Sequence, residues 1–163
     1  MKKTVLLLIA VTLSISSFAQ FRAGLGLTFA TDISTAGIEL TGVYEITDQW
    51  EGAAAFTFFF KKENVSWKVL DMEGHYIFHS MDQFDFYGVA GLSFNFWKMK
   101  FPESNFGGII IPAFTESGTE VGFNIGAGAK YNLSEQLSIV PELKVTLMDG
   151  SYVRFGVTAQ YKF

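Results

Sequence analysis

The feature that most limits the fold of this chain is an alternation of apolar and polar residues from Ser151 to Phe163. One parity of this segment contains Val153, Phe155, Val157, Ala159, Tyr161 and Phe163. The other parity contains Tyr152, Arg154, Gly156, Thr158, Gln160 and Lys162. A period of two residues places alternate side chains on opposite faces of a β-strand. We therefore expect a long strand that has one apolar and one mostly polar face.

Seven earlier segments alternate in the same way, and they are joined by connections of alternating short and longer length. The segments lie near 21–30, 37–46, 50–60, 66–78, 85–97, 119–131 and 137–148. The short connections are Thr47–Gln49, His79–Gln83 and Asn132–Gln136. The 18 Phe and 16 Gly residues, against 3 Pro, agree with strands and turns. The sequence predicts an all-β fold of eight antiparallel strands.

The first 19 residues have the order of regions that is typical of a secretory signal peptide. Lys2 and Lys3 precede an apolar run over 5–15, and Ser17-Phe18-Ala19 supplies small residues at a cleavage site. The run is short for a membrane helix, which needs about 20 residues, so a short anchor helix is the weaker alternative. We expect a signal peptide over 1–19, a single barrel domain over 20–163, and cleavage near Ala19.

Charge and cysteine content exclude several classes of function. The chain has 12 Lys and Arg against 16 Asp and Glu; without Lys2 and Lys3, 10 basic residues remain and the formal net charge becomes −6. A chain of this sign has no electrostatic basis for binding nucleic acid. The chain has no cysteine, so disulfide and thiolate chemistry are excluded.

The direction of the polar parity distinguishes a membrane barrel from a soluble, lipocalin-like binding barrel. In a membrane barrel the apolar parity faces lipid, and strands of about 9–11 residues cross the hydrocarbon. We prefer this arrangement because the apolar parity is rich in aromatic residues, whereas the polar parity combines charges with many glycines. The sequence thus predicts an eight-stranded antiparallel up-and-down transmembrane β-barrel. The charged and histidine residues of the polar parity are Arg22, Glu39, Glu45, Glu51, Asp71, Glu73, His75, Glu120, Lys130, Glu142, Lys144, Arg154 and Lys162.

Aromatic residues gather near the short turns and the C-terminus, which share one rim of an up-and-down barrel. This placement is typical of an aromatic girdle at a membrane–water interface. The girdle residues are Tyr44, Trp50, Tyr76, Phe84, Tyr131, Tyr161 and Phe163.

Together with the leader and the alternating segments, Tyr161-Lys162-Phe163 resembles the C-terminus of small outer-membrane barrels. The similar groups are the OmpX-like and OmpA-transmembrane-domain-like barrels, often called porin-family proteins, and the turn over 130–137 is similar to turns in such barrels from Bacteroidetes. The resemblance implies residence in the outer membrane of a Gram-negative bacterium, contact with outer-membrane lipid and lipopolysaccharide, and folding by the barrel assembly machinery. We expect a monomer.

Eight strands enclose an interior that side chains can fill, and its acids and bases are close to balance. We therefore expect a closed polar network in which Arg154 pairs with Glu120 and Glu39. Counting residues along their strands places all three side chains at a similar height in the barrel. A narrow or gated pore is the alternative function.

A lipid-modifying enzyme is a further alternative, since some small outer-membrane barrels modify lipid A with a serine and a histidine. Here His79 and Ser80 are adjacent but fall in a predicted periplasmic turn, and His75 lies beside interior acids. No nucleophile–base–oxyanion set or metal-ligand spacing is recognisable. We expect a protein that is not an enzyme and that needs no cofactor.

The longest predicted connection, 98–118, is unusually apolar for a surface loop. Its apolar residues are Phe106, Ile109, Ile110, Ile111 and Phe114. They would either contact a partner at the cell surface or belong to strands that extend beyond the membrane and pack on themselves.

Overall fold

The computed structural model describes residues 20–62, 64–106 and 109–163, and the side chains of all of these except 104–106 and 109–111. The predicted signal peptide over 1–19 lies outside the described residues. Eight long strands are present where the alternation predicts them, and a short hairpin adds two more. The strands are β1 (Phe21–Ala30), β2 (Thr35–Glu45), β3 (Trp50–Phe59), β4 (Val65–Met81), β5 (Phe84–Phe101), β6 (Ser104–Phe106), β7 (Ile109–Ile111), β8 (Phe114–Asn132), β9 (Leu137–Leu147) and β10 (Tyr152–Lys162).

The eight long strands close into one barrel in the order β1-β10-β9-β8-β5-β4-β3-β2, with every neighbouring pair antiparallel. The predicted fold class is confirmed. Closure pairs the first and last strands, so that no strand of the barrel is left with an unpaired edge. One rim, here called the terminal rim, carries Phe21, Lys162 and the turns 46–49, 82–83 and 133–136. The opposite rim, the loop rim, carries the other connections.

The terminal-rim turn after β4 differs from its prediction. The strand continues to Met81, so the turn is Asp82-Gln83 rather than His79–Gln83. Asp82 has a φ of 41°, as the primed two-residue turns of hairpins require. The register shifts between Ile77 and His79, which is a bulge that period-two counting does not detect. His79 and Ser80 are therefore strand residues.

The predicted connection over 98–118 is mostly strand, which agrees with the alternative that the strands on either side of it extend. β5 and β8 remain paired up to Phe101 and Phe114, whose rings stack with centroids 4.4 Å apart. The remaining connection, 102–113, contains the antiparallel β6–β7 hairpin, with Ser104 opposite Ile111. The candidate contact residues Phe106, Ile109, Ile110 and Ile111 lie in this hairpin, and their side chains are outside the described part of the structure, whereas Phe114 begins β8.

The two parities face opposite sides of the barrel wall. Leu27 on the apolar parity is 64% exposed, whereas Asp71 and Arg154 on the polar parity are 0% and 1% exposed. A soluble lipocalin-like barrel would have its apolar parity inside, so that alternative is wrong. Among the described residues, no helix has the length and hydropathy needed to cross a membrane.

The structure places the aromatic girdle residues at the terminal rim, where several of them contact one another. Trp50 and Tyr76 have ring centroids 4.9 Å apart, Phe84 and Tyr131 4.6 Å, and Tyr161 and Phe163 5.3 Å. The Tyr44 hydroxyl donates to Gln20 Oε1 at 2.8 Å.

Candidate functional site

The clearest interaction inside the barrel is an ion pair between strands that face each other across the ring. Arg154 on β10 donates from Nη1 to Asp71 Oδ2 at 2.7 Å and from Nη2 to Asp71 Oδ1 at 3.0 Å. β10 and β4 are four positions apart in the ring of eight strands, so they lie on opposite walls. A planar guanidinium that makes two parallel bonds to a carboxylate holds both side chains in one geometry. The pair therefore bridges the width of the interior.

Asn124 and Thr146 extend this bridge to two more strands. Asn124 Nδ2 donates to Asp71 Oδ1 at 2.8 Å and to Glu73 Oε1 at 2.6 Å. Its Oδ1 accepts from Thr146 Oγ1 at 2.7 Å and from Arg154 Nη2 at 3.2 Å. The amide thus has both donors and its acceptor occupied, as a buried polar side chain requires.

A second group of charges lies next to this bridge, toward the terminal rim. Lys144 Nζ is 3.1 Å from Glu73 Oε2 and 3.2 Å from Glu142 Oε2. The Tyr87 hydroxyl donates to Glu142 Oε1 at 2.6 Å. The His75 ring stacks on Tyr87 at 4.8 Å, and each of its nitrogens is 3.8 Å from a carboxylate oxygen, one of Glu51 and one of Glu73. This is the environment of an interior histidine held between acids.

A third group of charges lines the terminal rim. Arg22 contacts Glu45 through Nη1, Glu51 through Nη2 at 2.7 Å and Gln160 through Nε at 3.1 Å. In the same group, Lys130 pairs with Asp85 at 3.0 Å and with Glu51 at 3.6 Å, and Lys162 pairs with Glu45 at 2.9 Å.

Glu39 and Glu120, which were predicted to pair with Arg154, have other partners. Arg154 does not pair with Glu120 or Glu39, so that prediction is wrong. Glu39 accepts from the Thr57 hydroxyl at 3.2 Å, and Glu120 accepts from Trp97 Nε1 at 3.1 Å. Counting residues along one strand gives the height of a side chain in the barrel. Which side chains meet across the interior also depends on the stagger of the strands that lie between them in the ring.

The structure has an aromatic layer between the interior charges and the loop rim, and the sequence analysis does not predict this layer. The Trp67 ring is 5.3 Å from Phe59 and 4.8 Å from Tyr152, and the Tyr152 hydroxyl donates to Asn95 Oδ1 at 2.6 Å. These aromatic residues share the parity of buried charges on their own strands, as Trp67 does with Asp71. That shared parity is the sequence signal that could have revealed them.

Glycine makes room for the bulky interior side chains. A Cβ at Gly118 would lie 2.6 Å from Trp97 Cζ2, and one at Gly128 would overlap the Tyr87 ring. The glycines on this parity therefore accommodate aromatic rings as well as charged side chains.

Open space remains at both ends of the interior. A vestibule of about 500 Å³ at the terminal rim is lined by Arg22, Lys130 and Lys162 among others. A vestibule of about 350 Å³ at the loop rim is lined by residues that include Trp67 and Trp97. The two vestibules share no lining residue. Within residues 20–62, 64–106 and 109–163, no group of three His, Asp or Glu residues is arranged to hold a metal ion.

Comparison with solved structures finds the same fold in bacterial outer-membrane barrels. The N-terminal barrel domain of Pseudomonas aeruginosa OprF is 16% identical, covers 89% of this chain and 98% of that one, and has a TM-score of 0.70. A major outer membrane protein of Thermus thermophilus is 16% identical over 88% and 99% of the two chains, with a TM-score of 0.71. The attachment invasion locus protein Ail of Yersinia pestis is 18% identical over 88% and 97%, with a TM-score of 0.60.

No match is found among curated proteins. The sequence model of the outer membrane protein β-barrel domain family matches residues 4–163, which is nearly the whole chain. The closed eight-stranded barrel, with its apolar parity outside and its charges inside, is the architecture that this family name describes. The chain therefore belongs to the outer membrane protein β-barrel domain family and is an outer-membrane β-barrel.

Proposed function

We propose that the protein is a non-enzymatic barrel with a closed interior that anchors the β6–β7 hairpin at the cell surface. The observation that carries this proposal is the Arg154–Asp71 pair, which links opposite walls of the barrel. Its partners on β8 and β9 and the aromatic layer above it occupy the space that a diffusion path would need. An eight-stranded barrel has little interior volume beyond what its side chains fill.

The length of the strands supports presentation of the hairpin. β5 and β8 have 18 and 19 residues, whereas β9 and β10 have 11 each. At about 3.3 Å per residue, the extra residues carry the β5–β8 ladder well beyond β9 and β10, and β4 stays paired with β5 as far as Met99. Two proteins with this fold have names that refer to attachment or to the surface: Ail of Yersinia pestis and Neisserial surface protein A.

The route to the membrane is part of the same proposal. Secretion would use the signal peptide over 1–19, and the mature chain would begin at Gln20, which the mass of the purified protein checks. Tyr161 and Phe163 at the end of β10 would be read by the barrel assembly machinery, and the folded protein would remain a monomer.

Surface labelling of intact cells tests the presentation of the hairpin. A short epitope inserted between Gly107 and Gly108 should be bound by antibody on intact cells. The same epitope between Asp82 and Gln83, in the opposite rim, should be bound only after the outer membrane is permeabilised. Binding of the second epitope but not the first on intact cells would reverse the orientation and refute the proposal.

A further inference from the structure

The outward face of the barrel carries a single charged cluster. On the eight barrel strands, most outward side chains are apolar, small or neutral polar. The exceptions are His79 and three lysines. The lysines are Lys68 on β4 and Lys98 and Lys100 on β5. No acid lies on the outward parity of these strands. Three ammonium groups that lie together repel one another, and anionic lipid headgroups at the same level would supply the counter-charge.

The three lysines are neighbours on one patch of the wall. Lys68 is opposite Phe96, and Lys98 is opposite Ser66, so Lys68 and Lys98 are diagonal neighbours about 7–8 Å apart. Lys98 and Lys100 are two residues apart on one strand, which corresponds to roughly 7 Å. On β8 the facing outward residues are the neutral Thr115, Ser117 and Thr119.

The height of the patch matches the edge of the hydrocarbon. Phe84 marks the terminal rim, and Phe96 lies twelve residues farther along β5. At about 3.3 Å per residue and a tilt near 40°, this distance is roughly 30 Å of height, compared with an apolar band about 25 Å tall. Lys98 and Lys100 lie beyond Phe96, so the lysines are at the level of the lipid headgroups on the loop-rim side.

The surroundings of Lys68 show how a lysine is accommodated there. Its Nζ lies 5.6 Å from the centre of the Phe58 ring, so the ammonium stays beside an aromatic face of the wall. The outward residue beside it is Phe96, and the next outward residues toward the terminal rim are Leu70 and Phe94. The patch thus combines ammonium groups with an apolar surface directly below them.

We propose that Lys68, Lys98 and Lys100 bind the phosphate groups of lipid A, the membrane anchor of lipopolysaccharide, on the outer wall of β4 and β5. Phosphates would meet the three ammonium groups, while acyl chains of the same molecule would pack on Leu70, Phe94 and Phe96. A soluble polyanion would not use this apolar surface, because the patch faces sideways into the membrane and not toward the barrel mouth. A lipid that carries several phosphates on one headgroup can contact all three lysines at once.

The inference rests on the proposed orientation, in which the loop rim faces the outside of the cell. The two can fail separately. An inaccessible Gly107–Gly108 epitope would refute the orientation, whereas an accessible epitope without lipid A binding would refute this site alone.

Binding is tested with the purified barrel in nanodiscs, using lipid A, dephosphorylated lipid A and phosphatidylglycerol as probes. A basic residue near an anionic lipid surface strengthens binding about fivefold, so Lys68→Gln/Lys98→Gln/Lys100→Gln should weaken lipid A binding on the order of 100-fold. The corresponding Lys→Arg triple variant should retain it. Lys162→Gln, at the opposite rim, should bind lipid A as the wild type does. Circular dichroism checks that each variant is folded.

Two results would overturn the site. Equal lipid A affinity of the wild type and the folded Lys→Gln variant would show that the lysines do not bind it. Equal affinity of the wild type for lipid A and for either dephosphorylated lipid A or phosphatidylglycerol would show that lipid A phosphates are not what the patch recognises.

Discussion

Replacing Arg154 by methionine should destabilise the folded barrel by about 3–5 kcal/mol, because it leaves the buried Asp71 carboxylate without its guanidinium partner. The substitution also removes the bonds that Arg154 donates to Asn124 and Thr146. Reversible urea unfolding in lipid vesicles, followed by tryptophan fluorescence, measures the change in the free energy of unfolding.

Two controls show whether the cost comes from the unpaired charge. In Asp71→Leu/Arg154→Met both charges are gone, so the barrel should recover much of the lost stability. Lys162→Met breaks the pair with Glu45 at the solvated terminal rim, where the two side chains are 36% and 25% exposed, and should cost about 1 kcal/mol or less. A double variant no more stable than Arg154→Met would show that the unpaired Asp71 carboxylate is not the source of the cost.

Replacing Val157 by arginine should cost about 2–4 kcal/mol, because Val157 faces outward near the middle of β10. It is six residues from Phe163 at the terminal rim, or roughly 15 Å of height at a tilt near 40°. This height is close to the midplane of the hydrocarbon. The same unfolding assay in vesicles measures the effect.

Val153→Arg is the matched control on the same strand and face. Val153 and Val157 are 37% and 39% exposed, so burial within the protein does not distinguish them. Val153 lies near the loop rim, where an outward arginine reaches the headgroups and should cost about 0–1 kcal/mol. Equal costs at the two positions would mean that β10 does not cross the membrane as described.

Both the strands and the faces of the barrel could be predicted because they depend on local alternation. All eight predicted segments are strands, and the outward direction of Val157 and the inward direction of Arg154 follow from parity alone. The bulge near Ile77 escaped prediction because a bulge leaves no signature in an alternation pattern that is already weak there. The extension of β5 and β8 beyond the membrane was one of the two alternatives for 98–118, but the ends of these strands were placed too short because Lys98, Lys100 and neutral polar residues interrupt the apolar pattern of their outward positions.

The contacts of the interior were less predictable than its composition. Arg154, Asp71 and Lys144 could be assigned to the polar parity, but which acid meets which base depends on the stagger of strands far apart in the ring. Tyr152 could likewise be placed on the polar parity, but its packing with Trp67 was not predicted, because the aromatic residues were interpreted mainly as contacts with the membrane. In this barrel aromatic side chains lie on both sides of the wall.

A recording of ion conductance through the purified wild-type barrel in planar lipid bilayers tests the closed interior most directly. The Arg154–Asp71 bridge, its contacts with Asn124 and Lys144 and the aromatic layer predict no steady conductance after the folded barrel has inserted. A uniform, long-lived conductance step that recurs with each insertion would contradict the closed interior and would identify the protein as a pore.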